Sequence, residues 1–309
     1  MKKILVSVDN SKYAANVLDC LIRIVETAEE KPDVTLFTVI EPTLPSEVLS
    51  RLGEAGKERF KAFAESILAP AAETLQKAGV TVKTEWSLGV PAEKIAAKAH
   101  EIEPSYILMG SRGLTALESL FFGSVTVGVL SRTKTPVLIV RGPLPPKGEV
   151  RKIGIAVDGS ERSGQVLNYI IENRALLPGK CEFHAIYVSK SANDYMYGAL
   201  GAASMATGGR SAGLAQFALL NEASGKELEQ QASEDVMEPL RPYFKMLGGA
   251  KEVLLQGKAG DEIAKYAEAE KLDLLIMGSH GRSNVEAAFA GSVVMRVAAQ
   301  GTVPLFIVR

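Results

Sequence analysis

The chain has 309 residues and a mass of 33.0 kDa, with 47% hydrophobic and 23% charged residues; this fits about two soluble globular domains and excludes a single small module, a disordered chain or a fibre. Lys plus Arg number 35 against 36 Asp plus Glu, and neither half holds the basic surplus or tract that non-specific nucleic-acid or anionic-membrane binding requires. No apolar run approaches the ~18 residues of a membrane span, and the opening MKKILVSVDN reaches Asp9 too early for a signal-peptide core, so the expected address is the cytoplasm.

Ile4 to Val8 reads as an apolar strand. Behind it Ala14, Val17, Leu18, Leu21, Ile22 and Val25 recur at helical spacing, with Ser11 placed to cap the helix. Val34 to Ile40 reads as a second strand, Glu47 to Ala78 as a long helix with a break expected near Pro70, and Val80 to Leu88 as a third strand. Pro91 suits the first turn of the next helix, whose Ile95, Ala99 and Ile102 share a face. Tyr106 to Met109 is a short apolar strand, a helix follows around Ser124 to Ser131, and Pro136 to Val140 is a fifth strand. Strands apolar on both faces and separated by helices predict a mostly parallel α/β sheet covered on both sides.

The chain then repeats itself. KILVSVDNS at 3–11 returns as KIGIAVDGS at 152–160, and residues 89–141 align without a gap to residues 257–309. Two copies of one domain are implied, residues 1–142 and 151–309, joined by a Pro- and Gly-rich linker at 143–150. The second copy is longer. Its extra residues fall in the Gly-, Ala- and Ser-rich stretch 191–213, which reads as either a lid, with Tyr195, Met196 and Tyr197 folding over a ligand, or an unstructured insertion.

Chemistry concentrates after the first and fourth strands of each copy. Gly110, Gly113, Gly123 and Ser124 return as Gly278, Gly281, Gly291 and Ser292 at equal spacing. Glycines that permit positive φ, followed by a serine at a helix start, make a cradle of backbone N–H groups suited to phosphate. In a doubly wound sheet the ligand lies beyond the carboxyl ends of the strands where their order reverses. If the first and fourth strands are neighbours there, Asp9 faces Gly110 and Asp158 faces Gly278. Such a carboxylate could bond ribose or nucleobase donors, or hold a metal ion through water.

The pattern G-x2-G-x9-G-[ST], with an early V-D-x-S and a closing T-P-V-L-I-V-R or V-P-L-F-I-V-R, resembles the universal stress protein (UspA) family in its tandem two-domain form. The resemblance covers nearly the whole chain. It implies two Rossmann-like, adenine nucleotide alpha hydrolase-like domains, each a doubly wound five-stranded parallel sheet, with the final strands pairing the two domains as a pseudo-dimer. It also implies ATP as ligand. Triphosphate and ribose contacts would come from Gly110, Gly113, Gly123, Ser124 and Val125, and from Gly278, Gly281, Gly291, Ser292 and Val293. Adenine contacts would lie near Asp9 and Val39, and near Asp158 with Tyr187 as the positional match of Val39. Magnesium would come with ATP, near Asp9 or Asp158. Arg112 is replaced by His280 in the second copy, which would favour a triphosphate in the first.

Other residues take plainer readings. Cys20 and Cys181 are packing residues, His100 and His184 have no second ligand at metal-binding spacing, and Trp86 belongs to a core or interface. There is no P-loop lysine, kinase motif set, nucleophile elbow or recognisable triad. The resemblance therefore implies an ATP-binding stress-response regulator. The alternatives are a weak ATPase or nucleotide-transfer enzyme, and an interaction scaffold with empty sites; further association into a homodimer is left open.

Overall fold

The computed structural model describes residues 2–28, 30–42, 53–111, 122–144, 150–174, 177, 179–190, 222–279 and 291–309. The expected linker residues 145–149 and the stretch 191–213 lie outside them.

The first copy contributes strands β1 (Lys3–Ser7), β2 (Asp33–Ile40), β3 (Val82–Leu88), β4 (Tyr106–Gly110) and β5 (Val137–Val140). The second contributes β6 (Val150–Ala156), β7 (Lys180–Ser189), β8 (Lys251–Gln256), β9 (Leu274–Gly278) and β10 (Leu305–Val308). All ten form one sheet in the order β3-β2-β1-β4-β5-β10-β9-β6-β7-β8. Every pairing is parallel except the seam, where β10 runs antiparallel to β5 with Phe306 opposite Leu138. The doubly wound α/β fold and the pairing of final strands are thus as expected.

Helices cover both faces because the strands are apolar on both. Ile4 and Val6 point into one core and Leu5 into the other. The first core is closed by α1 (Ala14–Thr27) and α2 (Gly53–Lys77), and in the second copy by α5 (Glu161–Glu172), α6 (Glu222–Met237) and α7 (Arg241–Met246). The second core is closed by α3 (Pro91–Ile102), α4 (Ser124–Arg132), α8 (Ala259–Ala269) and α9 (Ser292–Gln300). Among the described residues no helix is long and apolar enough to cross a membrane.

Two local expectations are corrected. Pro70 does not break α2; it and Ser66 lie on the exposed side, where water can serve the carbonyl that loses its partner. Ser11 does not cap α1 with its side chain: Tyr13 is the N-cap, and it is the Ser11 carbonyl that accepts the Ala14 N–H, at 3.1 Å.

The seam is more than three backbone pairs. Phe306 packs edge-on against Tyr106 of the first copy and Tyr169 of the second, with centroids 5.6 and 5.8 Å away. The Tyr169 hydroxyl donates to the Ser105 carbonyl at 2.8 Å, and Lys2 Nζ to Asn173 Oδ1 at 2.9 Å. Aromatic rings with a hydrogen-bonded polar tip make a dry, oriented contact, so the two copies share one apolar junction.

Candidate functional site

Strand order reverses between β1 and β4 in the first copy and between β6 and β9 in the second. At such a reversal the following helices leave toward opposite faces, and a crevice opens beyond the strand ends. In the second copy this crevice is a cavity of about 350 Å³. One wall is the start of α5; the other is the starts of α8 and α9.

The floor begins where β6 ends. Val157 extends the strand by one bond, its N–H donating to the Ile186 carbonyl at 2.9 Å. Gly159 then takes φ +73°, a left-handed conformation costly for any residue with a Cβ, and turns the chain into α5. Asp158 locks that turn. Its Oδ1 accepts from Ser160 N at 3.0 Å, Ser160 Oγ at 2.6 Å and Ser163 Oγ at 3.0 Å. In the first copy Asp9 Oδ1 accepts from Ser11 N at 3.1 Å, and Ala14 stands where Ser163 supplies a hydroxyl. The repeated aspartate thus braces a helix entry in both copies, with more donors in the second.

The opposite wall is pinned in the same way twice. Ser279 N–H donates to the Val308 carbonyl at 2.9 Å, and Gly291 N–H to the Ser279 carbonyl at 2.7 Å. The counterparts are Ser111 to Val140 at 2.9 Å and Gly123 to Ser111 at 2.8 Å. Each helix start is therefore held against the end of the fourth strand. Gly123 and Gly291 are the N-caps of α4 and α9, with extended φ/ψ of −64°/157° and −59°/150° and no side-chain cap. The expected role of positive φ is corrected here: none of Gly110, Gly123, Gly278 and Gly291 is left-handed. A glycine N-cap offers no side-chain oxygen to the first-turn N–H groups, which leaves them to a ligand or water. In the first copy Thr126 Oγ1 also donates toward the Gly110 and Ser111 carbonyls, at 3.2 and 3.3 Å; Val294 packs at that place in the second.

Asp158, Gly278, Gly291, Ser292 and Val293 all line the cavity. In the first copy Asp9 follows β1, Gly110 ends the neighbouring β4, Ser124 opens α4, and Val39 and Val125 are half-buried against the α3–α4 core. Gly113, Gly281, Arg112 and His280 lie outside the described residues.

Tyr187 does not belong to the cavity. It is buried in the core beneath α5, α6 and α7, on the face of β7 opposite Val188 and away from the residues that line the cavity. Val8 N–H bonds Phe37 and Val157 N–H bonds Ile186, so Phe37 matches Ile186 and Val39 matches Val188, which does line the cavity. A slip of one residue along a strand exchanges its faces, and the match to Tyr187 is that slip. Carrying the separation between Asp9 and Asp158 over to Val39 gives Val188 directly. Ser160, Ser163 and Arg162 were also missed, because hydroxyls and an arginine at a helix start look like ordinary surface chemistry. His184, expected to lack metal partners, is fully buried with Nδ1 2.7 Å from the Tyr266 hydroxyl and Nε2 2.7 Å from Glu182 Oε1. Both of its nitrogens are thus satisfied by side chains that reach toward the surface, a half-buried tyrosine and an exposed glutamate.

The profile of the universal stress protein family matches residues 1–141 and again residues 149–309. A universal stress protein of Methanocaldococcus jannaschii is 30% identical over 141 residues, 45% of this chain and 76% of that protein. Universal stress protein YxiE of Bacillus subtilis is 30% identical over 152 residues, 45% of this chain and 98% of its own length. Among solved structures, a universal stress protein from Archaeoglobus fulgidus superposes with a TM-score of 0.68 at 20% identity, covering 99% of this chain and 98% of its own; that likeness concerns the fold.

Proposed function

The chain belongs to the universal stress protein family, and on that premise we propose that each copy binds an adenine nucleotide, ATP in the cavity of the second, in the service of stress-response regulation. The observation that carries this reading is the start of α9. Its first-turn N–H groups have no side-chain cap and open on a cavity of about 350 Å³, within the range of small-molecule sites. A polyanion satisfies those donors and the positive end of the helix together. Val188, Ile263 and Met277 give the same cavity an apolar part, suited to a flat base.

The carboxylate of Asp158 favours binding over turnover. Oδ1 is committed to three donors that hold the entry of α5, so we assign it to bracing the rim; magnesium, when present, would enter with the phosphates. We place the boundary between the copies at 143–150.

Calorimetric titration of nucleotide-stripped, folded protein with ATP and magnesium tests the reading. Saturable binding is expected, weakened when Gly123 and Gly291 are both changed to valine. A flat trace on the parent chain overturns it in favour of a scaffold with empty sites.

A further inference from the structure

Arg162 is the second residue of α5, in the first turn of that helix, and has no counterpart of like charge in the first copy. The equivalent position there is Tyr13, whose ring carries the exposed Lys12 ammonium 5.3 Å from its centroid. Arg162 is half-buried and lines the cavity. Among the described residues no carboxylate pairs with it; Asp158, four residues earlier, spends Oδ1 on Ser160 and Ser163 instead. Its charged neighbour is another cation. Burial first, and then the charge of Arg162, hold the Arg309 guanidinium below its ordinary value.

A guanidinium that faces a cavity without a counter-ion, near a second guanidinium and opposite an uncapped helix start, is an incomplete electrostatic arrangement. Like charges repel, and the positive end of α9 adds to the same field. An anionic ligand relieves all three terms at once, and the planar fork suits phosphate oxygens.

We propose that Arg162 makes the second site select its nucleotide by phosphate charge, a discrimination that the first site, with Tyr13 at that position, does not obtain from α1. The proposal rests on the nucleotide reading of the cavity and adds to it a residue that distinguishes the two copies. Adenosine, which has no phosphate, gains nothing from Arg162; ATP gains most.

Hydrogen exchange of the full chain reads the two copies separately, through ATP-dependent protection of residues 292–300 and of residues 124–132. In Arg162→Gln the ATP concentration giving half-protection of 292–300 should rise about tenfold or more, while that for 124–132 stays in place. Arg162→Lys should recover part of the loss, and adenosine should protect parent and variant alike. Thermal unfolding of each variant checks that it is folded. An unmoved midpoint for 292–300 in folded Arg162→Gln overturns the role of Arg162 and leaves nucleotide binding standing. Absence of protection by any adenine nucleotide in the parent chain overturns both.

Discussion

Arg141 and Arg309 occupy corresponding positions just beyond β5 and β10, and each crosses the seam to the last turn of the other copy's helix. Arg141 donates to the carbonyls of Val297, at 3.2 Å, and Ala298 in α9; Arg309 donates to the carbonyl of Leu130 in α4. Leu130 and Ala298 are themselves equivalent, so the contact is reciprocal. It follows from the antiparallel pairing of β5 with β10, which brings the end of each strand beside the helix that precedes the other. A cation at a helix C-terminus satisfies orphan carbonyls and meets the negative end of the helix dipole.

Replacing Arg309 by Met should therefore destabilise the seam, by about 1–3 kcal/mol for the Leu130 carbonyl left without that donor. Arg141→Met should act similarly, with the pair showing non-additive losses only if the seam opens as a unit. Urea denaturation of the single and double variants measures this. Removing residues 305–309 eliminates β10 and exposes the edge of β5, so aggregation or separation of the halves is expected in size-exclusion chromatography.

Tyr106 is fully buried, and among the described residues its hydroxyl has no hydrogen-bond partner. An unpaired buried hydroxyl costs about 1–3 kcal/mol, so Tyr106→Phe should stabilise the protein. Burial also pushes the Tyr106 and Tyr169 phenols upward. A group whose folded value is raised supports folding below its unfolded value and loses that support as pH climbs. Alkaline unfolding should thus set in above about pH 10. Thermal melts from pH 8 to 11 should show a shallower decline in Tyr106→Phe than in the parent.

Gly128 and Gly260 are close-contact glycines on opposite partners of equivalent helix pairs. A Cβ on Gly128 would sit 2.5 Å from Ala92 Cβ, and one on Gly260 would sit 2.5 Å from Arg296 Cβ. In the first copy the small residue is on α4, facing Ala92 of α3; in the second it is on α8, facing Arg296 of α9. Alanine gains about 1 kcal/mol of helix propensity over glycine, but a clash with a Cβ fixed to the backbone should reverse the sign. Gly128→Ala should cost about 1–3 kcal/mol, and adding Ala92→Gly should restore most of it, as read by midpoint shifts in denaturant.

Asp261 at the start of α8 joins the same helix pair, 2.5 Å from Arg296 Nε and 2.5 Å from Gln300 Nε2. The hydrogen bond from Arg296, and after it that from Gln300, hold its carboxyl below the usual range. A depressed carboxylate contributes above its unfolded value, about 3.9, and loses the contribution as pH falls through the folded one. The melting temperatures of the parent and Asp261→Asn should differ at pH 7 and converge in acid.

Cys20 is buried in the core, and burial pushes its thiol up to about 12. It should stay unreactive toward thiol reagents at neutral pH, since the thiolate is the reactive form. Modification of the folded protein at Cys20 on the timescale seen in denaturant would contradict this packing.

The residues themselves determined the alternation of strands and helices, the duplication and the recurrence of Asp9 and Gly110 as Asp158 and Gly278, because apolar periodicity and glycine placement are local properties. They also marked the closing strands, whose pairing at the seam was implied by the family resemblance. What they could not give is which face a strand residue takes when the register between copies slips by one, and so Tyr187 stood where Val188 belongs. Only the folded chain showed that Gly123 and Gly291 act as extended N-caps, that Pro70 leaves α2 whole, and that Arg162 meets the cavity. Each of those depends on what lies across space: a partner carbonyl, solvent on one side of a helix, or the opposite wall of a cavity built by distant helices.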